Sequence, residues 1–173
     1  MTESSSRSST LADPIRYATS ADAEAICSIY NPYVAGTIVT FEEQEVSADV
    51  MKSRIAEAKA SAPWLVYETE GQVRGYAYAT PWRPRSAYRF SVETTIYLAP
   101  GYEGQGMGAK LYTQLLRMLS EAGMHVAIGG IALPNARSVA LHEKLGFAKV
   151  ARFAEVGCKF GQWVDVGYWQ RRL

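Results

Sequence analysis

The feature that most constrains the fold is a glycine-rich stretch between a β-branched run and a helical pattern of apolar residues. Gly101, Gly104, Gly106 and Gly108 stand between "TTIYL" and that apolar pattern. Glycine allows a tight turn and a close approach of the backbone to a ligand, and a helix N-terminus leaves backbone N–H groups unpaired. Strand, glycine loop and helix in this order predict a phosphate site, with a flexible connector as the alternative.

Two common phosphate-binding motifs do not fit this stretch. A P-loop ends in Gly-Lys-Ser/Thr, and Lys110 is not so placed. A dinucleotide-binding loop normally follows the first strand of a βαβ unit, whereas this loop follows the fourth predicted strand. The glycines alone therefore leave the ligand open.

The hydrophobic pattern predicts a single mixed α/β domain. In chain order it predicts a strand, two helices, three strands, a helix, a strand, a helix and two strands. Asn31-Pro32 is expected to loosen or end the first helix, and Gly123 and Gly146 the third and fourth. Residues 1–13 are expected to form a disordered Ser-rich tail before the domain at residues 14–173.

Composition excludes several classes of protein. A net charge of +1 argues against nucleic acid or membrane as a partner. No apolar run approaches the ~18 residues of a transmembrane helix, and the N-terminus lacks the apolar centre of a secretory signal. Cys27 and Cys158 match no metal spacing and indicate reduced thiols in a cytoplasmic protein, with one disulfide as the alternative.

Two separated segments resemble the GNAT N-acetyltransferase superfamily. Its coenzyme loop has Gln or Arg, two residues, Gly, any residue, and Gly or Ala; Glu103, Gly106 and Gly108 stand at these places, and Glu103 is a departure. The second segment, "LPNARSVALHEKLGF", has the superfamily's spacing of Asn, Ser and Gly-Phe. The resemblance implies a GNAT-type acyl-CoA N-acyltransferase fold, a mostly antiparallel sheet flanked by helices, with acetyl-CoA as co-substrate.

Longer segments are similar to the phosphinothricin and methionine sulfoximine N-acetyltransferases. They include "YNPYVAGTIVTFEE", "PWLVYETEGQVRGYAYATPWRPRSAY" and "GCKFGQWVDVGYWQ". This resemblance implies acetyl transfer to the amine of a small glutamate-like amino acid, and a homodimer.

The resemblance also implies which parts of the chain bind the coenzyme. The strand before the loop would pair with the pantetheine arm, where the N–H of Leu98 is a candidate oxyanion donor, and the loop would hold the pyrophosphate. Asn135 would contact the pantetheine, with helix capping as the alternative. The predicted coenzyme residues are Ile96, Tyr97, Leu98, Gly104, Gln105, Gly106, Met107, Gly108, Ala109, Asn135 and Ser138.

Two side chains are candidates for proton transfer, which acetyl transfer to an ammonium requires. Glu93 lies in the otherwise uncharged run "SVETTIYL", where partial burial would raise its pKa, and the resembled family has its proposed general base there. His142 stands where many superfamily members carry a Tyr near the coenzyme sulfur, and can protonate the thiolate or act as a second base. A solvent-facing Glu93 and a structural His142 are the alternatives. No metal is expected.

The basic segment "WRPRSAYRF" is expected to bind the anionic groups of the acceptor, because arginine binds carboxylates bidentately. A solvated basic loop is the alternative. Its arginines disfavour a polycationic acceptor. The predicted acceptor residues are Phe41, Arg83, Pro84, Arg85, Glu93, Thr94 and Thr95. A non-catalytic acetyl-CoA sensor and a GNAT enzyme for a different amine are the alternative functions.

Overall fold

A seven-stranded sheet forms the centre of the protein in the computed structural model, which describes residues 14–58 and 62–173. The strands are β1 (Ile15–Tyr17), β2 (Trp64–Thr69), β3 (Gln72–Pro81), β4 (Ser91–Leu98), β5 (Val126–Leu133), β6 (Ala148–Lys159) and β7 (Gln162–Arg172). The helices are α1 (Ala23–Gly36), α2 (Ala48–Ala58), α3 (Met107–Glu121) and α4 (Ala136–Lys144). The predicted order of elements is confirmed, while the predicted tail lies outside the described residues.

The sheet is antiparallel except at its centre. Its strand order is β1-β2-β3-β4-β5-β7-β6, and only β4 and β5 run parallel. Side chains alternate across the sheet, so that β2 places Trp64 and Val66 against α1 and α2 and Leu65 against α3. Helices therefore cover both faces, and the expected mixed fold is confirmed.

Asn31-Pro32 was expected to loosen or end α1, and the prediction of an end is wrong. The helix continues through Pro32 to Gly36, and buried Ile29 and Val34 lie on either side of the proline. Core packing of this face outweighs the backbone hydrogen bond that proline cannot make. The Asn31 amide instead holds a neighbouring segment, because it accepts from the Val46 N–H at 3.0 Å and donates to the Val46 carbonyl at 3.1 Å.

The parallel strands β4 and β5 pair over only three residues. Ser91, Val92 and Glu93 lie opposite Val126, Ala127 and Ile128, and beyond this point each strand continues without pairing to the other. The two strands therefore separate in the middle of the sheet. This gap leaves backbone groups and side chains of both strands open to a ligand.

Several composition-based expectations can be compared with the described residues. Cys27 is buried and Cys158 exposed, and both are free thiols, so the disulfide alternative does not apply. Within residues 14–58 and 62–173, no helix has the length and apolar character needed to cross a membrane. The same residues hold no group of three or more side chains suited to a metal ion.

Candidate active site

A cavity of about 620 Å³ lies where β4 ends, beside the glycine loop and the first turns of α3 and α4. Most of the predicted coenzyme residues line it: Ile96, Tyr97, Leu98, Gly104, Gly106, Gly108, Ala109, Asn135 and Ser138. Gln105 and Met107 are not among the lining residues. The cavity joins the strand, loop and helix segments that the sequence resemblance assigned to the coenzyme.

The glycine loop adopts backbone angles that favour glycine. Gly104 and Gly106 have φ values of 77° and 80°, and Gly106 is the N-cap of α3 without a side-chain hydrogen bond to the cap. Side chains with a Cβ rarely adopt positive φ, so glycine is needed here on conformational grounds. The first N–H groups of α3 therefore remain available to an anion at this edge of the cavity.

Glu103 and Gln105 stabilise the loop from within. A Glu103 carboxylate oxygen accepts from the Gly101 N–H at 2.9 Å, and the Gln105 amide donates to the Gly101 carbonyl at 2.9 Å. Both backbone groups of Gly101 are thereby satisfied by residues of the same loop. These bonds explain why an acidic residue fits where the superfamily pattern has Gln or Arg.

Sequence reasoning missed two cationic residues at the coenzyme cavity. Arg137 and Lys144 of α4 both line it, together with Leu141. Positions 137, 141 and 144 share one helix face, so the helix predicted from Asn135 contained this signal. Two cations beside the glycine loop suit a ligand with several phosphates.

Asn135 and Ser138 are linked at the start of α4. The Asn135 side-chain oxygen accepts from the Ser138 N–H at 3.1 Å, so Asn135 caps the helix as the alternative interpretation had it. Both residues also line the cavity. Capping and a place beside the coenzyme are therefore compatible at this position.

A second cavity of about 210 Å³ adjoins the first at the separation of β4 and β5. The two cavities share Val39, Ile96, Tyr97, Asn135 and Ser138. Side chains with ionisable or hydroxyl groups line the smaller one, including Glu93, Thr94, Thr95 and His142. Both predicted catalytic residues are thus brought to one space beside the coenzyme cavity.

Burial perturbs the Glu93 carboxyl group. Its partly buried position in β4 raises its pKa, and nearby Arg83 opposes this shift to a smaller extent. A Cβ atom built at Gly130 of β5 would lie 3.1 Å from a Glu93 carboxylate oxygen. The absence of a side chain at Gly130 therefore leaves space for the Glu93 carboxyl group. The alternative in which Glu93 faces solvent does not apply.

His142 is buried and lies at the end of a hydrogen-bonded chain. Burial lowers its pKa, which favours the neutral ring. Its Nδ1 lies 2.8 Å from the Ser138 carbonyl and must carry the proton there, because a carbonyl only accepts. Its Nε2 lies 3.1 Å from the Tyr112 hydroxyl, which lies 2.6 Å from the Thr94 hydroxyl, and Thr94 donates to the Ile128 carbonyl at 3.1 Å.

Glu93 and His142 reach the gap from opposite faces of the sheet. A Cβ built at Gly129 would lie 2.4 Å from His142 Nε2, whereas one at Gly130 would contact Glu93. Successive strand residues point to opposite faces, so the two adjacent glycines make room for one candidate each. The glycine doublet in "HVAIGGIAL" was a signal available in the sequence, because glycine within a strand marks a site of close approach.

The other predicted acceptor residues lie outside the small cavity. Arg83, Pro84 and Arg85 are exposed in the β3–β4 connection, where the Arg83 guanidinium lies 4.4 Å from the centre of the Trp82 ring. Phe41 is 40% exposed. The smaller cavity does contain the other three, Glu93, Thr94 and Thr95. A role of Phe41 and the β3–β4 connection in acceptor binding stays a prediction.

Known proteins are similar to this chain in sequence and in fold. Residues 15–167 match the acetyltransferase (GNAT) domain. The chain belongs to this family. A phosphinothricin N-acetyltransferase of Streptomyces viridochromogenes is 40% identical over 91% of this chain and 86% of its own length. The L-amino acid N-acyltransferase MnaT of Escherichia coli is also 40% identical, over 92% and 93% of the two chains.

Solved structures agree with this assignment. A phosphinothricin acetyltransferase from Sinorhizobium meliloti in complex with acetyl-CoA superposes with a TM-score of 0.89 at 37% identity, over 92% of this chain and 87% of that one. A Salmonella typhimurium putative acetyltransferase, solved with acetyl-CoA, also has a TM-score of 0.89 at 37% identity, over 92% of each chain. This chain is an acetyl-CoA-dependent N-acetyltransferase, and acetyl-CoA is its co-substrate.

Proposed function

We propose that this enzyme acetylates the α-amine of a small amino acid with a second polar or anionic group, such as phosphinothricin, methionine sulfoximine or methionine sulfone. The observation that carries the proposal is the small cavity with Glu93 and His142 where β4 and β5 separate, opening from the coenzyme cavity. Its volume of about 210 Å³ suits an amino acid in size. Relatives named for phosphinothricin and methionine sulfoximine support this acceptor class.

In the proposed reaction, Glu93 is the general base. Its carboxylate takes a proton from the acceptor ammonium, and the raised pKa makes it a better proton acceptor near neutral pH. The freed amine attacks the thioester carbonyl carbon, and the bond from that carbon to sulfur then breaks. The N–H of Leu98 remains the candidate donor to the carbonyl oxygen during attack.

His142 completes the proton balance in this proposal. Nε2 of the neutral ring takes the second proton, which the amine nitrogen loses when the amide forms, and transfers it to the departing coenzyme thiolate. Glu93 releases the first proton to solvent before the next turnover. The hydrogen bond from Nδ1 to the Ser138 carbonyl fixes the ring orientation and leaves Nε2 as the atom that exchanges the proton. The ring is neutral before and after each turnover.

The β3–β4 connection is proposed to bind the anionic groups of the acceptor. Arg83 is near enough to Glu93 to lower its pKa, so it can act on a charge at the small cavity although its side chain is exposed. Arginine suits both carboxylate and phosphinate oxygens. Thr94 and Thr95 contribute hydroxyl groups to the cavity itself.

The chain is further proposed to be a cytoplasmic homodimer. Edge strand β6 and the turn that follows expose the side chains of Val150, Phe153, Val156 and Phe160, each more than half accessible, and Trp163 of β7 is 67% exposed. Such an apolar surface is typical of an interface. The free thiols of Cys27 and Cys158 suit a reducing compartment. Light scattering that shows a monomer at micromolar concentration would exclude the dimer.

An acceptor panel tests the function. Purified enzyme is incubated with acetyl-CoA and single amines, including phosphinothricin, methionine sulfoximine, methionine sulfone, glutamate and spermidine, and free thiol release is measured. We expect turnover with the amino acid analogues. Turnover with spermidine alone would show that the acceptor is a polyamine and not an amino acid. Tight binding of acetyl-CoA without turnover of any amine would favour a non-catalytic sensor.

A further inference from the structure

The connection between α1 and α2 forms part of the small cavity without having regular structure of its own. Within residues 37–47, Val39 and Thr40 line that cavity. A segment without a backbone ladder depends on tertiary contacts for a fixed position. Which contacts hold Val39 and Thr40 therefore determines the shape of the acceptor cavity.

One contact comes from the far end of the chain. The ammonium group of Lys159, the last residue of β6, donates to the Thr40 carbonyl at 2.8 Å across 119 residues of sequence. Lys159 is 1% exposed, although it carries an ionisable group. Lysine is almost never buried to this extent without a specific partner, and here the Thr40 carbonyl is a specific acceptor.

A second contact joins the same two segments. The Phe41 ring occupies the space beside Gly157 of β6, where an added Cβ would lie 2.3 Å from the nearest ring carbon. Gly157 and Lys159 lie two residues apart on one strand face, so both point towards the connection. On the other side, the Thr40 hydroxyl lies 2.7 Å from the buried Tyr30 hydroxyl.

We propose that Lys159, together with Gly157, is a positioning residue of the C-terminal hairpin that fixes Val39 and Thr40 and thereby sets the affinity for the acceptor amine. Neither Lys159 nor Gly157 lines either cavity, so their effect is transmitted through the backbone of residues 39–41. The coenzyme cavity depends much less on this contact, because Val39 is its only lining residue from the connection.

The charged group at this site also has a cost that an apolar residue would not have. Burial lowers the pKa of Lys159, while Glu42 and Glu43 oppose that shift. The ammonium also lies 5.0 Å from the centre of the Phe160 ring. A methionine would fill the same space without desolvating a charge, so a role in core packing alone does not account for lysine.

The inference rests on the proposed acceptor site, and Lys159→Met tests it by separating two Michaelis constants. We expect the KM for the acceptor to rise about tenfold, the size of a lost charge-assisted hydrogen bond, with the KM for acetyl-CoA changed less than about twofold. Lys149→Met is the matched control, because Lys149 is an exposed lysine of the same strand, and both constants should stay unchanged.

Gly157→Ala provides an independent test if Lys159→Met is poorly folded. The added methyl group must displace the Phe41 ring, which is partly exposed and can move, so we expect a smaller rise of about threefold in the acceptor KM. An unchanged acceptor KM in both variants would overturn the proposal. An equal rise in both Michaelis constants would show a general structural role and would overturn it as well.

Hydrogen–deuterium exchange distinguishes this inference from the proposed function. Residues 38–43 should exchange faster in Lys159→Met than in wild type or Lys149→Met, whatever amine the enzyme acetylates. Faster exchange without turnover of any amino acid analogue would support the positioning role of Lys159 and contradict the proposed acceptor class. Unchanged exchange would overturn the positioning role itself.

Discussion

The two adjoining cavities are built from different parts. The larger is lined by β4, the glycine loop and the first turns of two helices, with the cations Arg137 and Lys144 at α4. The smaller has less apolar surface and contains Glu93, His142 and two threonines. Backbone groups and fixed charges thus line the larger cavity, whereas the ionisable side chains that we propose for proton transfer line the smaller one.

The two candidate proton carriers differ in the direction in which burial shifts their pKa. Burial raises the pKa of Glu93 and lowers that of His142, and in both residues this favours the neutral form. The groups lie on opposite faces of the sheet, with Gly130 and Gly129 as their neighbours in β5. One partly buried gap therefore brings an acid and a base closer together in proton affinity.

Among variants that should affect one cavity and spare the other, Glu93→Gln is expected to have the largest effect on activity. Loss of the base should lower kcat/KM about 100- to 10,000-fold with little change in coenzyme affinity. Wild-type activity should fall as the pH drops through the raised pKa of Glu93, and this limb should be absent from the variant. Steady-state rates across pH, with the exposed Glu57→Gln as control, measure both effects.

The same variant has a consequence for stability. A carboxyl group with a raised folded-state pKa costs stability as the pH rises from its ordinary value through the raised one. Glu93→Gln should therefore have a higher free energy of unfolding than wild type at neutral pH. A retained acidic limb or an unchanged rate would remove Glu93 from the reaction.

Gly106→Val should weaken the binding of acetyl-CoA without changing the smaller cavity. The φ of 80° at Gly106 is strained for a β-branched residue, by about 1–2 kcal/mol, and the side chain would obstruct the α3 N-terminus. We expect the dissociation constant for acetyl-CoA, measured by calorimetry, to rise at least about tenfold. Gly36→Ala is the control, since nothing lies within 4 Å of the added Cβ. Unaltered affinity in Gly106→Val would contradict a phosphate site here.

The glycine doublet of β5 allows the two faces of the gap to be compared directly. Gly129→Ala must displace the His142 ring and break its contact with Tyr112, so we expect kcat to fall about tenfold and stability to fall by about 1–3 kcal/mol. Gly130→Ala needs only a small shift of the Glu93 carboxyl group, and we expect an effect below about threefold. The reverse ranking would contradict the placement of His142.

The smallest effect is expected from Arg83→Ala. Arg83 lowers the pKa of Glu93, so its removal should move the acidic limb of the pH–rate profile slightly towards higher pH. The acceptor KM should rise only about twofold, because exposed charge pairs contribute about 0.2–1 kcal/mol. Arg117→Ala, exposed on α3, is the control. A shift of the limb to lower pH would contradict the assigned direction.

The coenzyme cavity was more predictable from sequence than the acceptor cavity. Gly104, Gly106 and Gly108 lie within one short segment whose order of strand, loop and helix fixes their location. Glu93 could be singled out because it is a lone charge in a β-branched run. Phe41 and Arg83 were also assigned to the acceptor, yet neither lines the small cavity, since their positions depend on packing between distant segments.

The sequence alone determined the order of elements, the glycine loop and the mixed fold, because periodicity, capping and glycine conformation are local properties. Only the tertiary structure decided that β4 and β5 separate after Glu93, that Gly129 and Gly130 face opposite candidates, and that Lys159 holds Thr40. These features join segments up to 119 residues apart. Such contacts form when the sheet is assembled, and hydrophobic periodicity along the chain carries no record of them.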